Sequence, residues 1–399
     1  MDIYKIALLG DKDHGKSTTI GSLLMLTGSI SETRIEEAKK TSQKLGRPFE
    51  PGFLLDSFSE EREDAMTIDT TRAQIQHKGS GFEFIDVPGH EELISNMLTG
   101  ASNASTAILM VSAKPGEGIS EQTKRHIMLA RMLGISKIVI AVNKMDTVGY
   151  SKRSFDSIRS SMMQFIREAE KSFGPFRVKF VPVSSYKAEN LVSISSNMGW
   201  YKGSPLIEEV KNFAKSKGDE PKYLRAIVQG SIDGLAACKI IYGSMAAKST
   251  VGIVPRYKRC KISMIVKAGK PARKAERGSA PAIKLECPDV PQRGSIIFSG
   301  KRPMVGNKIS AVAFFIFAPK KCIIKMNGSQ QECSFKPISE INIVTAKASK
   351  AESVKPLGIY RVSIKAKGEM AYEKFKYAAD LGRFTIYEGN KLAGFGIIM

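Results

Sequence analysis

The chain has 399 residues, 42% of them hydrophobic and 25% charged, with a formal net charge of +22 and five cysteines. That length suits two or three domains, the composition is that of a globular protein, and no apolar run approaches ~18 residues, which excludes a transmembrane helix. The start Met1-Asp2-Ile3-Tyr4-Lys5 lacks a signal-peptide design, and the cysteines include no Cys-x-x-Cys pair, so a cytoplasmic protein with unpaired thiols is expected.

From residue 3 to 214, short apolar runs alternate with amphipathic stretches. Strands are predicted at 3–9, 72–76, 83–86, 107–111, 137–142 and 178–183, and helices at 16–26, 91–101, 121–133 and 154–171. This alternation predicts an α/β domain over 1–214, with a mostly parallel sheet and helices on both faces. Residues 29–67 form a longer excursion, with a helix at 32–45 and an acidic run at 57–64; connections of that length are usually functional. The polar run 215–222 reads as a linker. Beyond it only strands are predicted, separated by turn signals. Those at 239–242, 250–254, 260–266 and 295–298 are assigned to one β-barrel over 223–302. Those at 310–317, 322–326, 340–346, 359–366, 384–387 and 393–398 are assigned to a second over 303–399.

Three motifs carry chemistry. Gly10, Gly15, Lys16 and Ser17 fit the phosphate-loop pattern, directly after a strand and before a helix. Backbone N–H groups there would cradle phosphates, Lys16 would reach the terminal ones, and the Ser17 hydroxyl would bind Mg²⁺. Asp13, His14 and Thr18 flank these groups as further nucleotide-contacting candidates. The second motif, Asp86-Val87-Pro88-Gly89-His90, ends the third strand. Asp86 would join the Mg²⁺ shell, Gly89 would let its backbone approach the last phosphate, and His90 would position the attacking water. The third, Asn143-Lys144-Met145-Asp146, selects the base: the Asp146 carboxylate accepts from guanine N1–H and its exocyclic amine, a pair adenine does not offer. Asn143 would contact the base and the Lys144 stem would stack on it. Ser184, Ser185 and Tyr186 follow another apolar strand, and the serine backbone would reach the guanine oxygen. The nucleotide is therefore expected to be GTP or GDP.

Charge is unevenly spread: residues 219–399 hold 32 Lys and Arg against 13 Asp and Glu. That field would attract nucleic acid or an acidic protein, or serve solubility alone.

These motifs, with Met66-Thr67-Ile68-Asp69 and 96–102, resemble the translation-factor class of GTPases, elongation factor 1-alpha and its relatives, over the whole chain. The resemblance implies that Thr67 binds Mg²⁺ only in the GTP state, within a moving switch at 29–69, and that a monovalent cation sits near Asp13. Within the class, the segments 56–75, 88–93, 142–155, 197–208 and 381–398 are most similar to the GTPase subunit of sulfate adenylyltransferase. No fused kinase domain is expected after Met399. The implied partners are an ATP sulfurylase small subunit, or tRNA and the ribosome; no membrane partner is implied. Several positions depart from the family. Asp64 and Ala65 stand where arginine-glycine is usual, and Ser185 replaces an alanine. In the second domain Gly243 matches the family glycine, but Ser244 replaces the following arginine, which weakens a standard tRNA-carrier reading. Lys12 occupies a position usually filled by a small apolar gate residue. It could cover the gate with its stem, reach the γ-phosphate region, or pair with a switch carboxylate such as Asp64.

Overall fold

A computed structural model describes residues 3–44, 46, 48–55, 72–86, 104, 106–216 and 223–399. The predicted helix at 91–101 and residues Asp64, Ala65, Met66, Thr67, Gly89 and His90 lie outside the described residues, as does most of the predicted linker. The chain divides into two compact units, one of Met1–Ser216 with Ile343–Ala346 and one of Lys217–Asn342 with Lys347–Met399, which holds two barrels.

In the first unit, β1 (Ile3–Gly10) buries Ile6, Ala7, Leu8 and Leu9 in succession, the mark of a strand covered on both faces. It lies inside a six-stranded sheet with β2 (Arg72–His77), β3 (Ser80–Asp86), β4 (Thr106–Ser112), β5 (Lys137–Asn143) and β6 (Arg177–Pro182). The order is β2-β3-β1-β4-β5-β6; only β2 runs antiparallel to its neighbour. Among the described residues the α-helices are α1 (Lys16–Leu26), α2 (Glu32–Lys44), α3 (Glu121–Met132), α4 (Lys152–Phe173) and α5 (Leu206–Lys215). Serine side chains cap two of them: Ser120 accepts from Thr123 N at 3.0 Å and Ser151 from Ser154 N at 3.3 Å. Helix α4 buries Phe155, Met162, Phe165, Ile166, Ala169 and Phe173, one apolar stripe at helical spacing. Helix α5 is absent from the sequence expectations. Its start is set by tertiary bonds from Leu206 N to Asn190 O and Ile207 N to Leu191 O, after a Gly203-Ser204-Pro205 run that reads as loop.

Parallel register aligns the ends of these strands. Leu8 pairs with Asp86, Gly10 with Met110, Ser112 with Asn143, and Val142 with Pro182. The loops after β1, β3, β5 and β6 therefore leave from one sheet edge, where open α/β sheets bind ligands.

The second unit is entirely strand apart from one short turn of helix. Its first barrel contains β7 (Arg225–Ile232), β8 (Leu235–Tyr242), β10 (Thr250–Val254), β11 (Lys258–Lys267), β14 (Ala282–Glu286) and β15 (Ile296–Phe298), with short additions β9 (Ser244–Ala246), β12 (Lys270–Ala272) and β13 (Lys274–Glu276). The ring runs β10-β15-β7-β8-β14-β11 and closes by pairing β11 with β10. The second contains β16 (Met304–Phe315), β17 (Cys322–Met326), β18 (Ser329–Ile341), β20 (Gly358–Tyr372), β21 (Arg383–Glu388) and β22 (Lys391–Ile398), with β19 (Ala348–Lys350) added to β18. Its ring, β17-β21-β22-β16-β20-β18, closes by pairing β18 with β17. Both are closed antiparallel barrels of six strands, so neither leaves a free edge in the ring.

The barrels meet over Tyr242, Val254, Ile296 and Phe298 from the first and Ala371, Ala378 and Leu381 from the second. Beside them Arg225 is 0% exposed. Its Nε donates to Glu373 Oε1 at 2.7 Å, and its other nitrogens donate to the carbonyls of Leu224, Ser299 and Lys301.

Two expectations are corrected here. The strand placed at 340–346 is β18, which ends at Ile341; the apolar residues after it enter a turn. Most of β18 is polar with alternating exposure, so its own signal is weak, and its register comes from the hairpin that precedes it. The cysteines are not all unpaired. Cys260 and Cys287 form a disulfide with a Cα–Cα distance of 5.6 Å. The β11–β14 ladder, which pairs Lys261 with Glu286, brings these distant positions together, and linear spacing carries no trace of it. Among the described residues no helix is long and apolar enough to cross a membrane.

Candidate functional site

The loop after β1 is shaped by glycine. Gly15 has φ 85, and a Cβ there would lie 2.3 Å from Asn143 Nδ2, so backbone and space both require glycine. Asp13 is left-handed at φ 62 and exposed. Lys12 is exposed, and its N–H donates to Asp11 Oδ1 at 2.7 Å. Burial pushes the Asp11 carboxyl up, but bonds from Ser120 and the Lys12 N–H outweigh it and leave the pKa below its ordinary value.

His14 is 3% exposed, and its Nδ1 lies 3.1 Å from Met110 O. Burial lowers its pKa, which leaves a neutral ring whose Nδ1–H donates to that carbonyl. His14 thus pins the loop to β4. Lys16 Nζ donates to Gly10 O at 3.0 Å and Asp11 O at 2.9 Å, which holds the ammonium over the loop. Ser17 is exposed and Thr18 half-buried in the first turn of α1, where helix N–H groups and dipole favour an anion.

The base-selecting loop follows β5. Asn143 is 2% exposed and both ends of its amide are engaged: Nδ2 donates to His14 O at 2.9 Å, and Oδ1 accepts from Ser185 N at 2.9 Å. The side chain staples the phosphate loop to the third loop, and the amide keeps a second N–H beyond these two bonds. Ser184 N donates to Glu189 O and Ser185 N to Asn143, so the two serine N–H groups expected at the guanine oxygen are directed inward. The Ser184 hydroxyl donates to Asp146 Oδ1 at 2.5 Å and aims the carboxylate. Tyr186 is 50% exposed beside it. Lys144 adopts φ 61 and its Nζ donates to Glu117 Oε2 at 2.7 Å. Burial pushes Glu117 up, but bonds from Lys144, Ser112 and Lys114 hold its pKa at about 2, so its carboxylate is ionised at neutral pH.

The sequence reading missed three contributors. Thr19 Oγ1 lies 2.6 Å from Ser185 Oγ and also donates to Gly15 O, and Ser22 Oγ donates to Ser185 O at 2.7 Å. Their signal is polar residues three apart on the face of α1 that carries Leu23. Glu117, the anchor of Lys144, has no sequence signal beyond an acid in a glycine-rich loop.

Ser17 offers a hydroxyl at the start of α1, and Asp86 ends β3 in register two residues before Gly10. Among the described residues no cluster of three His, Cys, Asp or Glu is placed to hold a metal. Mg²⁺ takes few protein oxygens and completes its shell with phosphate and water, so the Ser17 hydroxyl would suit it.

Comparison with known proteins gives two family matches. The family described as "Elongation factor Tu GTP binding domain" matches residues 1–218, and "GTP-eEF1A C-terminal domain-like" matches residues 312–399. Similar proteins include the elongation factor 1-alpha of Sulfurisphaera tokodaii, 33% identical over 99% of this chain and 96% of that protein. The elongation factor 1-alpha of Metallosphaera sedula is 31% identical over 98% and 96%. That of Thermoplasma acidophilum is 36% identical over 68% of this chain, a match spanning 65% of the relative.

Proposed function

This chain belongs to the elongation factor Tu/1-alpha family of translation-factor GTPases, and within it we propose an elongation factor 1-alpha-like switch whose barrels engage tRNA or the ribosome. Its first domain is of the GTP-binding type that hydrolyses GTP. Guanine is selected by Asp146, aimed by Ser184, while Asn143 locks the base loops to the phosphate loop. Ser17 and Asp86 hold Mg²⁺, which when bound neutralises charge on the phosphate oxygens; Thr67 joins them in the GTP form. Lys16 binds the terminal phosphates, and His90, four residues beyond the end of β3, orients the attacking water.

The observation that carries the RNA reading is the charge of the first barrel. Arg259, Lys261 and Lys267 on β11, Lys270 on β12, Lys274 on β13 and Lys284 on β14 are all exposed. Such a surface gains affinity for a polyanion by releasing its counterions. The alternative, a regulatory GTPase subunit of sulfate adenylyltransferase, draws on the 56–75 and 381–398 segments. It gives way here because relatives named elongation factor 1-alpha align along nearly the whole chain.

Gel shifts with tRNA and with a random duplex across a salt series, alongside co-sedimentation with ribosomes in GTP and GDP, test the reading. Binding to tRNA or ribosomes that depends on nucleotide state and weakens steeply with salt is expected. No binding at low salt in either state refutes it and returns the enzyme-partner reading.

A further inference from the structure

The second barrel carries a cysteine pair that the nucleotide chemistry does not use. Strands β17 and β18 are joined by Asn327-Gly328, both with positive φ, 53 and 82. Two such central residues make the type I′ hairpin turn, whose twist matches the flanking strands and which fixes register. Counting back from Met326–Ser329, the ladder sets Lys325 against Gln330, Ile324 against Gln331, Ile323 against Glu332, and Cys322 against Cys333.

Directly opposed residues in an antiparallel pair have Cβ atoms ~4.5–5.5 Å apart, and a disulfide needs about 3.5–4.5 Å, a small adjustment. Both side chains face the barrel interior: Cys322 is 7% exposed with Ile324 and Met326, and Cys333 is half-buried against the same cluster. The first barrel holds the same arrangement closed, with Cys260 and Cys287 bonded across adjacent antiparallel strands. The remaining cysteine, Cys238, is 1% exposed, and burial pushes its thiol up to about 12. In the facing pair the hydrogen bond from Cys333 draws Cys322 below the ordinary thiol value, while the same contact raises Cys333. With its thiol drawn down, Cys322 is the sulfur that reacts first and Cys333, opposite it on the ladder, the resolving partner.

We propose that Cys322 and Cys333 form a reversible oxidation site that cross-links β17 to β18 on exposure to a small peroxide. The Cys322 sulfur attacks a peroxide oxygen, the O–O bond breaks, and one water leaves with the thiol proton, giving a sulfenic acid. The Cys333 sulfur then attacks Cys322, the S–O bond breaks, and a second water leaves. Two thiols and one hydrogen peroxide become one disulfide and two waters. A dithiol reductant restores the pair by exchange. The hairpin so locked touches the first barrel at its tip, where Arg293 Nε donates to Gly328 O at 3.1 Å, so the cross-link stiffens an inter-barrel contact.

The test uses the full chain. The reduced protein is treated with graded hydrogen peroxide, alkylated, unfolded and digested with trypsin, which separates the two cysteines at Lys325. Labelling of Cys322 and Cys333 is expected to fall together, their peptides to appear joined, and dithiothreitol to restore both, with Cys238 unchanged. Cys333→Ser should halt oxidation at a Cys322 sulfenic acid that dimedone captures. Peptides of Cys322 and Cys333 that stay separate and labelled at peroxide levels that oxidise a free model thiol overturn the proposal. So does independent loss of each thiol without a joined peptide in the wild-type chain, a readout that stands even if the variant misfolds.

Discussion

The Asn143 staple makes a sharp prediction, because one side chain bridges two nucleotide loops. Asn143→Ala removes two bonds of 2.9 Å and strands the His14 carbonyl and the Ser185 N–H in a site where Asn143 is 2% exposed. A net buried hydrogen bond is worth ~0.5–1.5 kcal/mol, and an orphaned polar group costs about 1–3 kcal/mol, so the combined loss is ~2–4 kcal/mol. Carried into nucleotide binding at ~1.4 kcal/mol per tenfold, this weakens GDP and GTP by about 30- to 700-fold. The lower end is expected, since water entering the loosened loops rehydrates part of what was stranded. Thr19→Val is the control: it removes only the hydroxyl contacts with Ser185 and Gly15, and should cost about 1 kcal/mol. Titration with a fluorescent GDP analogue, beside thermal unfolding with and without GDP, reads both quantities. Unchanged GDP affinity in a folded Asn143→Ala protein would refute the staple and leave Asn143 as a packing residue.

Asp146→Asn should weaken GTP and favour xanthosine triphosphate, whose C2 oxygen replaces the guanine amine; competition among GTP, ATP and xanthosine triphosphate measures it, and equal wild-type affinity for ATP and GTP would sink the assignment. His90→Ala should leave GTP affinity intact and slow single-turnover hydrolysis by ~10²-fold or more, as expected for a residue that orients water; an unchanged rate with any required activator present removes it from the mechanism. Lys12 is exposed beside the loop, so Lys12→Val should change neither GTP release nor hydrolysis; slower chemistry would assign its charge to the γ-phosphate, and faster release, shared non-additively with Asp64→Ala, would assign it to the switch. Glu373→Ala strands the fully buried Arg225 guanidinium, and breaking such a pair costs about 3–5 kcal/mol, seen as a lower denaturation midpoint of the barrel unit; a midpoint equal to wild type refutes the clamp.

Short-range chemistry was legible in the sequence. The turn after β1 needs Gly15 because of its own φ, the helix after it starts at Lys16, and the spacing of Asn143 to Asp146 after an apolar strand is local information. Parallel strands buried on both faces announce themselves as continuous apolar runs, and so β1, β4 and β5 could be placed to within a residue or two. What the tertiary structure decided is wherever a residue's partner lies far along the chain. Asn143 reads in the sequence as a base contact, and only the shared sheet edge reveals that its amide also staples His14 to Ser185. Helix α5 starts where Asn190 and Leu191 receive its first N–H groups, and β18 takes its place from a hairpin register rather than from its own polar residues. The cysteines show the limit most plainly. Cys260 and Cys287 are 27 residues apart, and no spacing rule joins them. Ladder pairing does, because a strand sets each residue against one partner across the sheet, and that partner is chosen by the closure of the whole barrel.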